Sequence, residues 1–388
     1  MLIIENGKVL TMAGKEYENG SVVIQDGRID KVLPGQASKE LSHEEVCSAQ
    51  ILDAQGGWIM PGIIEAHCHM GITEEKKGVE GDDCNETVNP VTPTLRAMDA
   101  INPMDAAFAE AVRAGITSAM IGPGSSNVVG GQFAFVKTKG RCVDEMTVLS
   151  PAAMKVAFGE NPKSNYSGQN QSPVTRMAIA DLLREELFEA RAYLENDKRQ
   201  PEYRYECWRP VFEHKIPLKA HVHRVDDIFT AVRIAKEFGL DMTLDHCSEG
   251  HLIAEQIAQT GFPAIVGPDL ASRNKIEVQN MAFKTAGILE RAGVPVAITT
   301  DHPVSLIQSL PLCAGLAVKA GLSMEAGLKA ITIQAAEICR VDQRVGSLEV
   351  GKDADVAVFT DNPMKTFTKT MYTVIDGKIC YDYRTEKK

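Results

Sequence analysis

The chain has no CxxC pair, no surplus of basic residues, no P-loop and no GxSxG serine elbow. It also has no unbroken apolar run approaching the ~20 residues that a membrane-spanning helix needs. Each absence closes off a class. Lysine and arginine total 41 against 52 aspartates and glutamates, a net charge of −11. Nucleic acid or an anionic membrane surface calls for a basic face, so neither is expected as a partner. Nine cysteines, an odd number, are scattered from Cys47 to Cys380, which fits reduced thiols better than a disulfide framework. The opening residues MLIIENGKVL alternate as a strand does and lack the charged-then-apolar pattern of a signal peptide. The expected location is cytoplasmic. The glycine-rich run 122–132 has no dinucleotide fingerprint, but it could let backbone approach a substrate closely.

What is present is an ordinary globular composition, 44% hydrophobic over 388 residues, enough for one large domain with a smaller companion. Both ends read as short strands. Near the start these are Leu2 to Ile4, Lys8 to Leu10, Ser21 to Ile24 and Arg28 to Val32, with Asn6-Gly7 and Asp26-Gly27 as tight-turn signals. Near the end they are Asp355 to Phe359 and Tyr372 to Ile375, with a turn at Asp376-Gly377. The expectation is one small β-sandwich assembled from residues 1–60 and 345–388.

Residues 61–344 alternate apolar strands with amphipathic helices, the pattern of a parallel α/β fold. Pro217 to Val222 is a strand. In the helix after it, Ile228, Ala231, Val232, Ala235 and Phe238 share one face, and Gly239 stops it. Strands are also expected at Trp58 to Glu65, Ile116 to Ile121, Met154 to Phe158, Met242 to His246, Ala264 to Val266 and Val294 to Thr300. The polar stretch 71–104 follows the first of these and is a candidate lid.

Chemistry gathers at the strand ends. His67 and His69, two apart on a strand, point the same way and can face one metal ion. His221, His246 and Asp301 each close a further strand, where barrel enzymes place their reactive groups. One such residue is easily structural; four independent strands ending in metal-competent side chains are not readily coincidence.

The segments MPGIIEAHCHMG, ITTDHP and GSLEVGKDADVAVF, with the strand-end histidines, resemble the amidohydrolase superfamily, and within it the imidazolonepropionase-like amidohydrolases. The resemblance implies a distorted (β/α)8 TIM barrel with a divalent metal among His67, His69, His221, His246 and Asp301. Imidazole and carboxylate ligands suit Zn²⁺ first, with Fe²⁺ or Mn²⁺ as alternatives, one or two ions per chain. A bound water whose pKa falls from about 15.7 to near 7 is the expected nucleophile, with Asp301 as general base and then acid. Many relatives bridge two metals with a carbamylated lysine and some with glutamate. Glu160, at the end of its strand, is the favoured bridge over Lys155, which looks too early to reach. His223 is expected near substrate, and Arg96 or Arg224 could pair with a substrate carboxylate. The expected reaction is hydrolysis of a C–N bond in a small molecule: an amide, an N-acyl amino acid or dipeptide, a cyclic amide or a cyclic amidine. The competing reading is a non-catalytic protein of this fold, used for binding or assembly. A homo-oligomer is compatible with either.

Overall fold

The computed structural model describes residues 1–76 and 78–385. Its strands run β1 (Leu2–Leu10), β2 (Glu16–Gln25), β3 (Arg28–Pro34), β4 (Gln50–Asp53) and β5 (Trp58–Pro61). They continue as β6 (Ile63–Cys68), β7 (Ile116–Ile121), β8 (Val129–Lys137), β9 (Thr147–Ala157), β10 (Leu218–Val222) and β11 (Met242–His246). The last are β12 (Ala264–Val266), β13 (Val296–Ile298), β14 (Val356–Phe359), β15 (Thr370–Ile375) and β16 (Lys378–Asp382).

The two ends of the chain share one mixed sheet, in the order β16-β15-β14-β5-β1-β2-β3, with β4 also on β1. Its apolar face buries Ile4, Val9, Val22, Ile59, Val356, Val358 and Val374. Asp26-Gly27 and Asp376-Gly377 make the expected turns, each aspartate at positive φ. Asn6-Gly7 does not. There β1 continues through a bulge, Asn6 taking φ 61°, and Gly7 lies where a Cβ would sit 2.7 Å from the Gly57 carbonyl oxygen. A dipeptide suited to positive φ serves a bulge as well as a turn.

The second sheet, β13-β12-β11-β10-β9-β8-β7-β6, curls into a nearly closed barrel. The 330–331 segment helps to close it, Ile331 accepting from Ile64 and Ala330 from Ile298. The single strand expected over Trp58 to Glu65 is in fact two. β5 joins the terminal sheet and β6 the barrel, with the switch at Gly62, where any Cβ would fall 2.1 Å from Thr117 Oγ1.

Seven barrel strands run parallel, and β8 runs against both its neighbours. It opens within the glycine-rich run, taking the last four residues, 129–132. Its residues are buried on both faces, so it lacks the alternation that marks a strand in sequence. The helix Val225–Phe238 forms as expected, with Gly239 at φ 69° as its left-handed stop. The two sheets are clasped by Lys137 of β8, whose Nζ lies 3.1, 2.7 and 3.3 Å from carboxylates of Asp353, Asp355 and Asp376. No helix among the described residues is long and apolar enough to cross a membrane.

Candidate metal centre

At the C-terminal end of the barrel the strand-end residues converge. His67 rides on β6, with His69 just past its end. Asp301 Oδ1 lies 3.2 Å from His69 Nε2 and 3.6 Å from His67 Nε2. Asp301 Oδ2 lies 3.9 Å from a ring nitrogen of His246. His246 stacks edge-on to His67 at 5.1 Å and to His221 at 4.6 Å between ring centroids. Among the described residues, two overlapping groups have ligand atoms close enough to hold a cation: His67, His246 and Asp301, and His221, His223 and His246.

The backbone is bent to bring this about. His246 has φ 70° and Asp301 φ 50°, left-handed conformations costing about 1–3 kcal/mol each for non-glycine residues. They turn both side chains inward after their strands end. Glu65, fully buried, fixes the Asp301 turn to β6 by accepting from Thr300 N (2.9 Å), Thr300 Oγ1 (2.6 Å) and His67 N (3.1 Å). Burial pushes its carboxyl up to about 7 against those hydrogen bonds.

Every imidazole is oriented from behind. His67 Nδ1 meets Asp245 Oδ2 at 2.7 Å, and Lys219 Nζ meets the same oxygen at 3.1 Å. His69 Nδ1 donates to the Gly122 carbonyl and His246 Nδ1 to that of Gly267. His221 and His223 have Nδ1 on the hydroxyls of Ser125 (2.9 Å) and Ser248 (2.8 Å). Such partners fix ring tautomer and direction around metal sites.

The site's electrostatics suit a cation. Burial, with Lys155 and Lys219 nearby, holds the His67 imidazole well below its ordinary value. Burial likewise lowers His221 and His246, leaving neutral nitrogens able to bind metal. Burial works against charge on Asp301 too, but His246, His69 and Lys155 outweigh it and keep the carboxylate ionised. For His69 burial is outweighed by Cys84 and Asp301, which lift it to about 10; a cation would replace that proton. Asp301 Oδ1 is buried without a hydrogen-bond partner, an arrangement that is costly unless something positive completes it. The residues present therefore fit a divalent metal.

Lys155 and Glu160 change places relative to the expectation. β9 begins at Thr147, so Lys155 is near its end, and its Nζ reaches 3.4 Å from His67 Nε2. Burial, opposed by Asp245 and Asp301, lowers it to about 8. Glu160 instead opens the helix Glu160–Ser167 and lines the pocket wall, outside both ligand groups. Neither arginine faces the histidines. Arg96 is exposed beside a separate depression with Asp82, Glu86 and Asp99, and Arg224 is paired with Asp226 at 2.9 Å. The cation that lines the pocket is Lys275, hydrogen-bonded to Asn161. His223, expected beside substrate, does line it. His302 accepts from Ile307 N, and His251 meets Thr285 Oγ1.

Glu65, Lys219, Asp245, Lys275 and Glu277 were missed in sequence. A signal existed for two: Glu65 and Lys219 each stand two residues before a strand-end histidine, on the same inward face.

The pocket above the cluster has a volume of about 720 Å³. Its lining combines polar Asn85, Ser126, Asn161 and Asn165 with apolar Pro268, Val278, Met281 and Val304.

The amidohydrolase family matches residues 58–380, and the chain belongs to it: it is an enzyme that hydrolyses carbon–nitrogen bonds, imidazolonepropionase-like within the family. It is similar over 98% of its length to the crystal structure of an amidohydrolase from Thermotoga maritima MSB8, with 34% identity, all of that chain covered and a TM-score of 0.93. Amidohydrolase tasK of Hapsidospora irregularis is 28% identical over 94% of this chain, which spans 40% of the length of that relative. The imidazolonepropionase of Rhizorhabdus wittichii is 25% identical over 91% of this chain and 92% of its own.

Proposed function

We propose that the enzyme hydrolyses the amide of a small N-acyl amino acid or dipeptide bearing a free carboxylate. The observation that carries this is the pocket. Apart from imidazoles it is lined by no aromatic ring, so a flat heterocycle would find no stacking partner. Lys275 offers its ammonium to an anionic group, and Met281, Val278 and Val304 accept an apolar side chain.

His67, His69, His221, His246 and Asp301 would hold a divalent ion, Zn²⁺ before Fe²⁺ or Mn²⁺, which when bound would supply an acidified water and electrophilic pull on the scissile carbonyl. Asp301 takes the water's proton on a carboxylate oxygen and hands it to the leaving nitrogen. Asp245 and the Gly122 and Gly267 carbonyls hold the rings while this happens. Lys155 replaces Glu160 as the source of a further carboxylate ligand: as the free amine it would add to carbon dioxide, forming an N–C bond and releasing a proton. Lys275 and Asn161 orient the substrate carboxylate.

Metal-replete enzyme offered N-acyl amino acids, dipeptides, cyclic amides and cyclic amidines should turn over the linear carboxylates fastest. Lys275→Ala should raise KM for them about tenfold with little change in kcat, the mark of binding lost equally in ground and transition states. Turnover confined to cyclic amidines, or a KM indifferent to that substitution, would overturn the assignment.

A further inference from the structure

Imidazoles and the metal-facing Asp301 apart, the pocket is lined by two charged side chains, Lys275 and Glu160. The substrate carboxylate engages only the first. Glu160 opens the helix Glu160–Ser167, and Glu160, Asn161, Ser164 and Asn165 of that helix all line the pocket. They fall at i, i+1, i+4 and i+5, one face of a helix. Pro162 and Tyr166 are buried, and Lys163 is exposed outside the pocket lining. The pocket side of the helix therefore carries one charge, and it is negative.

That carboxylate is uncommitted. The backbone N–H of Glu160 donates to Glu277 Oε2 at 2.8 Å. Among the described residues, the Glu160 side chain makes no hydrogen bond and no ion pair. Lys275, by contrast, is held: it is hydrogen-bonded to Asn161, and its Nζ lies 3.5 Å from Glu277 Oε1. Glu277 thus braces the backbone of one charged station and the side chain of the other, and the two charges do not pair with each other. The start of the helix also abuts the metal-facing rings, with Asn161 Nδ2 3.4 Å from His221 Nε2.

We propose that Glu160 binds a free α-ammonium group on the acyl side of the substrate, so that Glu160 and Lys275 together select a zwitterionic dipeptide over an N-acyl amino acid. This rests on the amide-hydrolase reading above and narrows its substrate class. In a dipeptide the α-nitrogen is two bonds from the scissile carbonyl carbon, so it must lie near the metal-facing rings, where the helix begins. An extended dipeptide spans roughly 7 Å, which lets its two charged ends reach separate stations of one pocket. An α-amino group with a pKa of about 7.7–8.0 is mostly charged at neutral pH, and its bond to a carboxylate is charge-assisted. A substrate with hydrogen in place of the ammonium would cover Glu160 without answering its charge, and that penalty gives the discrimination.

The test compares two probes that differ in one group: alanyl-leucine, and propionyl-leucine, in which hydrogen replaces the ammonium. Metal-replete full-length enzyme at pH 7 should show a kcat/KM about tenfold or more higher for alanyl-leucine. Glu160→Gln, near-isosteric and uncharged, should erase that preference, with the loss falling on alanyl-leucine and the metal content unchanged. Circular dichroism checks the fold. Equal losses on both probes, an undiminished preference, or loss of metal from the variant would overturn the proposal. Hydrolysis of both probes by wild type without preference would sink the ammonium site and leave the amide reading standing. Calorimetric binding of the same probes covers the opposite case. If wild type hydrolyses neither but binds alanyl-leucine about tenfold tighter, and Glu160→Gln abolishes the difference, the functional reading alone fails. Neither binding nor hydrolysis of alanyl-leucine would sink both.

Discussion

The two sides of the centre are built differently. On one side His67, Lys155, Lys219 and Asp245 are sealed inside the barrel, and the charges answer one another: Asp245 meets both His67 and Lys219, and Lys155 meets His67. On the other side His221, His223 and Lys275 border the pocket, with Glu277 buried behind them and one of its carboxylate oxygens left unanswered. The sealed side comes from four strands of one sheet, β6, β9, β10 and β11, and the open side depends on a loop. Paired buried charges cannot change without leaving a partner stranded in low dielectric. A loop-borne residue beside solvent can. The difference separates the part of the site that fixes the chemistry from the part that can adapt to substrate.

That division can be attacked from several directions. The largest effect should come from Asp301, which lies 3.6 Å from His67 of the sealed side and itself lines the pocket: Asp301→Asn should lower kcat by about 10²–10⁴-fold, the usual worth of a positioned acid–base group. Near-normal turnover would remove its proton-transfer role. On the sealed side, Asp245→Asn should cost about 3–5 kcal/mol in denaturant unfolding, because it strands Lys219 in the barrel interior. A loss below ~1 kcal/mol would mean the sealed side tolerates change after all.

Metal content sharpens the comparison further. Lys155→Ala should lower the metal-to-protein ratio, while Glu160→Ala should leave it unchanged; the reverse pattern would restore Glu160 as the bridge. The smallest effect belongs to the open side's loop. Burial lifts Asp269 to about 6 against the pull of Arg273, above the ~3.9 of an aspartate in an unfolded chain. The folded protein therefore holds that proton more tightly. The resulting stability is full below about pH 4 and is lost as pH rises through 6. Asp269→Asn should keep it, so the variant's Tm should exceed the wild type's at pH 8 and match it at pH 4. Equal Tm values at both would mean water screens the group.

How much of this was legible in the sequence depended on where each residue's neighbours came from. His67, His69, His221 and His246 stand on or just past strands whose apolar runs are plain, so their position could be read from period and length. Asp301 could be read too, although β13 stops at Ile298 and a left-handed turn does the rest. Lys155 was misjudged because β9 starts seven residues earlier than its apolar segment suggests, as the return arm of the hairpin with β8. Glu277 and Lys275 gave no signal at all. Their roles come from a loop folding over the barrel mouth, and no local periodicity encodes that. Arg96 and Arg224 failed for the opposite reason, since a charged residue near a motif in sequence is free to face solvent or a neighbouring aspartate in space.

The reversed strand β8 has a lasting consequence for how such an enzyme can diversify. A barrel of eight strand–helix units offers a pliable connection above every strand. Here the turn from β7 to β8 is short and already committed, with Gly122 accepting from His69 and Ser125 braced on His221. An insertion there would slacken two metal-facing rings at once. Evolutionary tinkering with what the enzyme accepts is thereby steered toward the segments 71–104 and 267–283, leaving that quarter of the rim frozen.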